Sequence, residues 1–482
     1  MSKLSEFWNT KSDAAKSAFV FTVAILLSRG ISIISTPIFT RIMPPDQIGV
    51  VGLFTSYLGI ITSISSLALN SGGFMVGLKE FAESRDKYIS SLLTLTTISA
   101  LALAIAVSVA PSFWAEFLGL PSGLIALLLF GCLVTPGYEF WLMRQRYEYS
   151  YRKAALITVL TSVLSTSFAV IAVIMAKDIP EHLGELRLYV ATGSSLLVYF
   201  VIWLFLLIKG RTFYNKEYWT FSLALSLPLL GHSFATQLLS VSDRFFIGKF
   251  VDNTAVGIYS TLYSVGSLSL MFWSALNSSF VPYLFQNLDT NEQKRVVAIN
   301  SAKLLAFFSI ISMGVSLMAP EIVKILAPRE YVENINIIPP IIAGVFFISV
   351  GNFYSNLLVY CKNTLAIMLS SITAGAISVI LNILFIPRFG YVAAAYNTLI
   401  SYVIFALLQA ASSYSVFRKK TDGAFPYSNK LMITILLVTT SLIMSCLILY
   451  KNNVIRYSFV LIIVISGVIM YKRRRRAYDQ LA

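Results

Sequence analysis

The stretch Ala18–Thr40, AFVFTVAILLSRGISIISTPIFT, decides the fold. A helix of about 20 apolar residues crosses the hydrocarbon core of a bilayer. This stretch is that long and carries one charge, Arg29, near its middle. The residues before it are polar and mixed in charge, and no short apolar core with a small-residue cleavage pattern follows. It therefore reads as a spanning helix and not as a cleaved signal peptide. The pattern recurs along the chain, at 17–40, 48–71, 89–110, 122–143, 154–176, 188–209, 220–242, 255–277, 300–320, 336–359, 365–386, 391–416, 431–450 and 454–471. The expectation is an all-α polytopic membrane protein with fourteen spans. No loop is long enough for a soluble catalytic domain, and 284–299 reads as a short amphipathic surface helix.

Composition agrees. Hydrophobic residues make up 57% of the 482, charged residues only 12%, and mean hydropathy is +0.77. Soluble domains carry roughly 25% charged residues, so this chain could not cover a water-facing surface. The net charge of +15 would suggest nucleic acid in a soluble protein. Here Lys and Arg gather in loops because they resist translocation, and no basic patch is interleaved with aromatics, so no nucleic-acid partner is expected. The three cysteines, Cys132, Cys361 and Cys446, are far apart and the only histidines are His182 and His232, which offers neither a disulfide framework nor a zinc site.

Charge also gives a direction. The N-terminus, the even-numbered loops and the C-terminus hold 26 Lys and Arg, the other loops 10. That bias places both ends in the cytoplasm. The cluster Lys472–Arg476 reads as a topology anchor, with anionic-lipid binding as the alternative.

The two halves resemble each other. Ala68-Leu69-Asn70-Ser71 recurs as Ala275-Leu276-Asn277-Ser278, and Arg41–Gly49 matches Lys249–Gly257 at an offset of 208. The offset covers six spans, an even number, so the copies are parallel. Expected are two six-helix bundles, 1–215 and 216–420, with 421–482 as a C-terminal helix pair and basic tail. Substrate sites of repeat transporters lie at such an interface.

Polar residues at membrane depth are the candidate site. Thr22, Arg29, Ser32 and Thr36 share one face of the first span, which should turn to the cleft. Ser222, Ser226, Ser233, Gln237, Ser240 and Arg244 form a polar face on the seventh, where Gln237 falls opposite Arg29 in the repeat and Pro228 should bend the helix. Arg144 and Arg146, and Lys362 in the second half, mark the inner mouth. Asn70 and Asn277 are candidate sugar contacts. Asp243, Arg244 and Glu139, the other acid at membrane depth, are candidates for gating or for binding a coupling ion, and Asp243-Arg244 reads equally well as a plain interfacial ion pair. His232, off the stripe, reads as a hydrogen-bonded packing residue. A cationic cleft favours an anion such as pyrophosphate, which Arg grips with paired hydrogen bonds. No GxxxxGK[ST] loop is present to power transport with ATP.

Three stretches carry a family resemblance: STPIFTRIMPPDQIGVVGLF (Ser35–Phe54), SDRFFIGKFVDNTAVGIYSTLYSVG (Ser242–Gly266) and LNILFIPRFGYVAAAYNTLISY (Leu381–Tyr402). In order and spacing the chain resembles polysaccharide flippases of the Wzx type, within the multidrug/oligosaccharidyl-lipid/polysaccharide exporter superfamily. The resemblance implies a non-enzymatic flippase in the bacterial inner membrane. Its cargo would be undecaprenyl-pyrophosphate-linked oligosaccharide for O-antigen, capsule or exopolysaccharide. Arg29 resembles in position a first-helix Arg of related lipid II flippases. The resemblance also implies membrane lipids, and polymerase and chain-length proteins, as partners. No cofactor is expected beyond a coupling proton or sodium ion. The rival readings are a multidrug or cation antiporter of the same superfamily, against which stand Arg29 and two extra spans, and a membrane polysaccharide polymerase. The short loop 111–121, with Glu116 as its one acid, argues against the latter.

Overall fold

A computed structural model describes residues 13–71, 73–420 and 425–461. Among them every regular element is helical. The spanning helices are α1 (Asp13–Ile42), α2 (Pro45–Ser65), α3 (Arg85–Val109), α4 (Ser122–Tyr147), α5 (Tyr151–Met175), α6 (Leu183–Gly210) and α7 (Lys216–Phe250). There follow α8, broken at Ser267 into Asn253–Gly266 and Leu268–Gln286, α9 (Asn291–Leu326), α10 (Ile338–Tyr360), the run Thr364–Lys420 and α13 (Asn429–Leu449). By length and composition 11 of these helices can cross a membrane, or 12 with the bent α7 taken as one span.

The run Thr364–Lys420 is 57 residues long, which as one straight helix would reach about 85 Å. It does not run straight. Gly390 (φ 64°, ψ −159°) is non-helical, and Asn397 Nδ2 donates to Asn382 Oδ1 at 3.1 Å. Two residues 15 apart would stand about 22 Å apart on one helix, so the chain turns back at Gly390. The two arms, α11 and α12, are the expected spans 365–386 and 391–416. Thirteen of the expected spans thus have a helix. The fourteenth is helical over 453–461, and its remainder lies outside the described residues, as does the Lys472–Arg476 cluster.

Local chemistry explains the ends. Pro45 occupies the first turn of α2, where its missing N–H is not needed. Asn215 and Asp252 cap α7 and α8 with their side chains. Thr290 and Gln293 form a capping box that starts α9. This last cap corrects the expectation for 284–299. That segment is no separate surface helix: from Asn291 it is the opening of α9, a 36-residue helix longer than the bilayer is thick. Short helices lie instead at Gly73–Glu80 and Pro111–Leu118. The α2 span ends at Ser65, earlier than expected, because Leu67 (φ 52°) and Ala68 (φ 50°) turn left-handed.

Burial sorts the helices. Most of α10 is buried, so it is a central helix; α6 is largely exposed and presents Leu197, Val201 and Phe205 outward, as a lipid-facing helix does. The end of α1 is tied to the end of α9, where Thr40 Oγ1 donates to Leu326 O (2.5 Å) and Arg41 to Ile325 O (2.9 Å). At the opposite ends, Asp86 of α3 meets Arg144 of α4 and Lys209 of α6. These contacts suit helices that alternate in direction.

The start of α2 crosses the start of α8 at close range. A Cβ on Gly49 would lie 1.8 Å from Asn253 O, and one on Gly257 would lie 1.9 Å from Pro45 O. Adding 208 to Pro45 and Gly49 gives Asn253 and Gly257, so the contact is reciprocal under the repeat offset. Only glycine permits backbones this close.

Candidate functional site

A cavity of about 970 Å³ lies within the helices, bordered by α2, α4, α5, α6 and α7. Most of its lining residues carry hydroxyl or amide side chains, among them Ser63, Thr135, Ser195, Ser233 and Thr236. It contains Asn70, Glu139 and Gln237, three of the expected site residues. Asn70 Nδ2 donates to Glu139 Oε2 at 2.7 Å, across 69 residues of sequence. Asn70 reaches Glu139 because α2 unwinds after Ser65 and Asn70 sits in a short 3-10 turn, Leu69–Ser71.

The α7 helix is bent by 49° between Lys216–Leu227 and Leu229–Phe250. Pro228 stands at the break and lacks the N–H that would continue the helix. Below the bend, Ser222 is hydrogen-bonded to Tyr88 (2.8 Å), and Ser226 Oγ accepts from Gly73 N (3.2 Å). Above it, Ser233 and Gln237 line the cavity. The polar stripe of α7 is therefore divided: Ser222 and Ser226 pack against neighbours, Ser233 and Gln237 face the cavity, and Arg244 is buried beyond it. His232 lines the cavity and is bonded through Nδ1 to Ser371 Oγ on α11 (2.7 Å).

The cationic candidates stand apart from this wall. Arg29 is exposed on α1, as are Thr22 and Ser32, while Phe21, Ala24, Ser35 and Phe39 are buried. Arg144 is engaged by Asp86 and by Glu148 (2.9 Å). Arg146 lies 5.1 Å from the Phe21 ring centre. Lys362 is exposed in a left-handed turn (φ 53°) after α10. Asn277 Oδ1 accepts from Asn356 Nδ2 (2.8 Å), between α8 and α10.

Asp243 and Arg244 are buried well inside α7, which continues to Phe250. Asp243 accepts from Arg244 Nη1 (3.2 Å) through Oδ1 and from the Tyr259 hydroxyl (2.5 Å) through Oδ2. The Arg244 guanidinium covers the Tyr263 ring at 4.4 Å, and Tyr263 meets the Tyr402 hydroxyl at 3.2 Å. Ser242 Oγ accepts from Asn382, which in turn accepts from Asn397. The pair thus belongs to a polar network joining α7, α8, α11 and α12, with each charge hydrogen-bonded as burial demands.

Two features escaped sequence reading. Arg187, counted only as a loop base, stacks 3.8 Å over Phe39 with no carboxylate in ion-pair range among the described residues. Tyr199, which lines the cavity, is stacked on Tyr138 at 4.2 Å. Its spacing from Ser195 and Thr192 puts it on their face of α6, the one signal available beforehand.

Residues 14–288 match the family model described as polysaccharide biosynthesis protein. A probable flippase, AglR, of Haloferax volcanii is 25% identical over 175 residues, 34% of this chain. The match spans about a third (36%) of that relative's length. Among solved structures, the lipid II flippase MurJ in an inward closed conformation superposes with a TM-score of 0.65 at 16% identity, over 94% of this chain and 99% of that one. An inward-facing multidrug resistance MATE transporter gives 0.56 at 14%, over 83% and 96%. A MOP superfamily transporter from Pyrococcus furiosus, described as having a binding pocket of reversed polarity, gives 0.57 at 14%, over 85% and 98%. At such identities the likeness establishes the fold.

Proposed function

The chain belongs to the polysaccharide biosynthesis protein family, and from that premise we propose that it is a flippase for undecaprenyl-pyrophosphate-linked oligosaccharides in the bacterial inner membrane. The product would feed O-antigen, capsule or exopolysaccharide assembly, where polymerase and chain-length proteins would be its partners. The observation that carries this reading is the cavity itself: about 970 Å³ at membrane depth, walled by hydroxyls, amides and a carboxylate. Groups of that kind are costly in lipid and match a ligand dense in hydroxyls.

In this mechanism the sugars occupy the cavity, with Asn70, Gln237 and Glu139 as hydrogen-bonding partners. The prenyl chain stays in lipid. The pyrophosphate is held by cations outside the cavity wall, with Arg29 foremost and Arg144, Arg146 or Lys362 at the entrance. The bundles 1–215 and 216–420 rock about the cavity, and Asn277, bonded to Asn356 outside the wall, is the second bundle's candidate sugar contact. A proton or sodium ion at Asp243 or Glu139, gated by Arg244, resets the cycle without other cofactor.

Replacing Arg29 with Ala in the producing strain tests the pyrophosphate assignment. Surface polymer should fall at equal protein level; polymer at the normal level removes Arg29 from the mechanism. One observation favours a second reading: the carboxylate in the wall suits an organic cation, as a multidrug antiporter would require. A deletion strain with normal polymer and raised sensitivity to cationic drugs would decide for that antiporter.

A further inference from the structure

The cavity wall contains one acidic side chain among the described residues, that of Glu139. No Lys or Arg lines it. Of the cations expected near the cleft, Arg144 is bound to Asp86 and Glu148 and Arg244 to Asp243, while Arg29, Arg146 and Lys362 stand outside the wall. We infer that this cavity selects its glycan by charge, accepting neutral or amino sugars and rejecting uronic and other acidic sugars. This inference rests on the flippase reading above and names the substrate class of the same site.

The chemistry follows from the donors and acceptors present. Asn70 donates to Oε2 of Glu139 and so holds the carboxylate in place as an acceptor. A carboxylate accepts only, so it suits sugar hydroxyls, which are donors, and best of all an amino group carrying a positive charge. The Gln237 amide can donate and accept, and the Ser195 and Thr236 hydroxyls, which donate to Ala191 O and His232 O, present acceptor oxygens. Tyr199, backed by Tyr138, adds an aromatic surface for the apolar face of a pyranose ring. A uronate brought into the same space would meet a like charge with no cation to offset it. Inside a protein, where the effective dielectric constant is far below that of water, such a pair is repelled strongly.

The test uses two probes in proteoliposomes. Both are undecaprenyl-pyrophosphate trisaccharides of equal length; one is built of N-acetylglucosamine, the other ends in glucuronic acid. The wild-type protein should translocate the neutral probe faster by about tenfold or more. Glu139→Gln should bring the two rates to within about threefold of each other. Equal rates in the wild type, or a faster acidic probe, would overturn the inference without touching the flippase reading. A ratio unchanged by Glu139→Gln would overturn the role of Glu139. If Glu139 served only a coupling ion, the variant would slow both probes alike and leave the ratio as it was. The wild-type comparison needs no variant to fold. If neither probe moves, the flippase reading falls, and this inference with it.

Discussion

Gly257→Ala should loosen the crossing of α2 and α8 by a predictable amount. The new Cβ would lie 1.9 Å from Pro45 O and 3.0 Å from Gly49 N, where ordinary contact begins at 3.4 Å. The helices must separate by about 1.5 Å, and both obstacles are backbone, which cannot rotate away. Overpacking of this kind costs about 1–3 kcal/mol. At about 2 kcal/mol the balance shifts roughly 30-fold toward any state in which the two helix starts are apart. A state at about 1% would rise to about a quarter. Spin labels on cysteines at Asp46 and Thr254, in a background without Cys132, Cys361 and Cys446, would report the separation by pulsed dipolar spectroscopy. The expected result is a second, longer distance in Gly257→Ala. Gly193→Ala is the control, because a Cβ there meets nothing within 4 Å. An unchanged distance distribution in Gly257→Ala would refute the claim that this close crossing depends on glycine at 257.

Three further outcomes are expected. Tyr259→Phe removes a donor from buried Asp243, whereas Tyr263→Phe loses only the contact with Tyr402; thermal melts in detergent should show the former less stable by about 1–2 kcal/mol more than the latter, since bonds to charged groups are worth more. Gly390→Ala forces a side chain into a conformation (φ 64°, ψ −159°) that glycine alone adopts readily, so it should destabilise by about 1–3 kcal/mol in the same assay. Arg456 is buried against Glu321 and Tyr457. Its replacement by Ala should detach the start of the last helix from α9 and hasten tryptic cleavage after Lys451; an unchanged cleavage rate would count against that tether.

How much of this was legible beforehand differs by level. Apolar runs reveal spans because the bilayer demands them of each helix separately. Hence α4 begins at Ser122 both in the sequence pattern and in the fold. What a helix does inside the bundle is set by its neighbours. The amphipathic pattern of 284–299 could not show that Thr290 would start a helix running to Leu326. The polar stripe of α7 looked continuous, yet its lower part is spent on Tyr88 and Gly73, Ser233 and Gln237 face a cavity, and Arg244 is buried against Asp243. Arg29 suggested a cationic cleft, but side-chain pairing decides a cavity's sign, and among the described residues this wall holds Glu139 and no Lys or Arg. The Asn70–Glu139 bond depends on α2 unwinding at Leu67 and Ala68, two apolar residues with no turn signal of their own.

The reversal at Gly390 bears on biosynthesis. Arms α11 and α12 are joined by almost no loop and hydrogen-bonded from Asn382 to Asn397. A ribosome-bound insertion machine would therefore receive them as one hairpin, with Arg388 near its tip. Their polar groups satisfy each other only when both arms are in, which favours entry as a pair. An even number of crossings also insulates the helix downstream. A hairpin that fails to enter leaves the orientation of α13 unchanged, so quality control would meet a protein with a missing module and not one turned inside out.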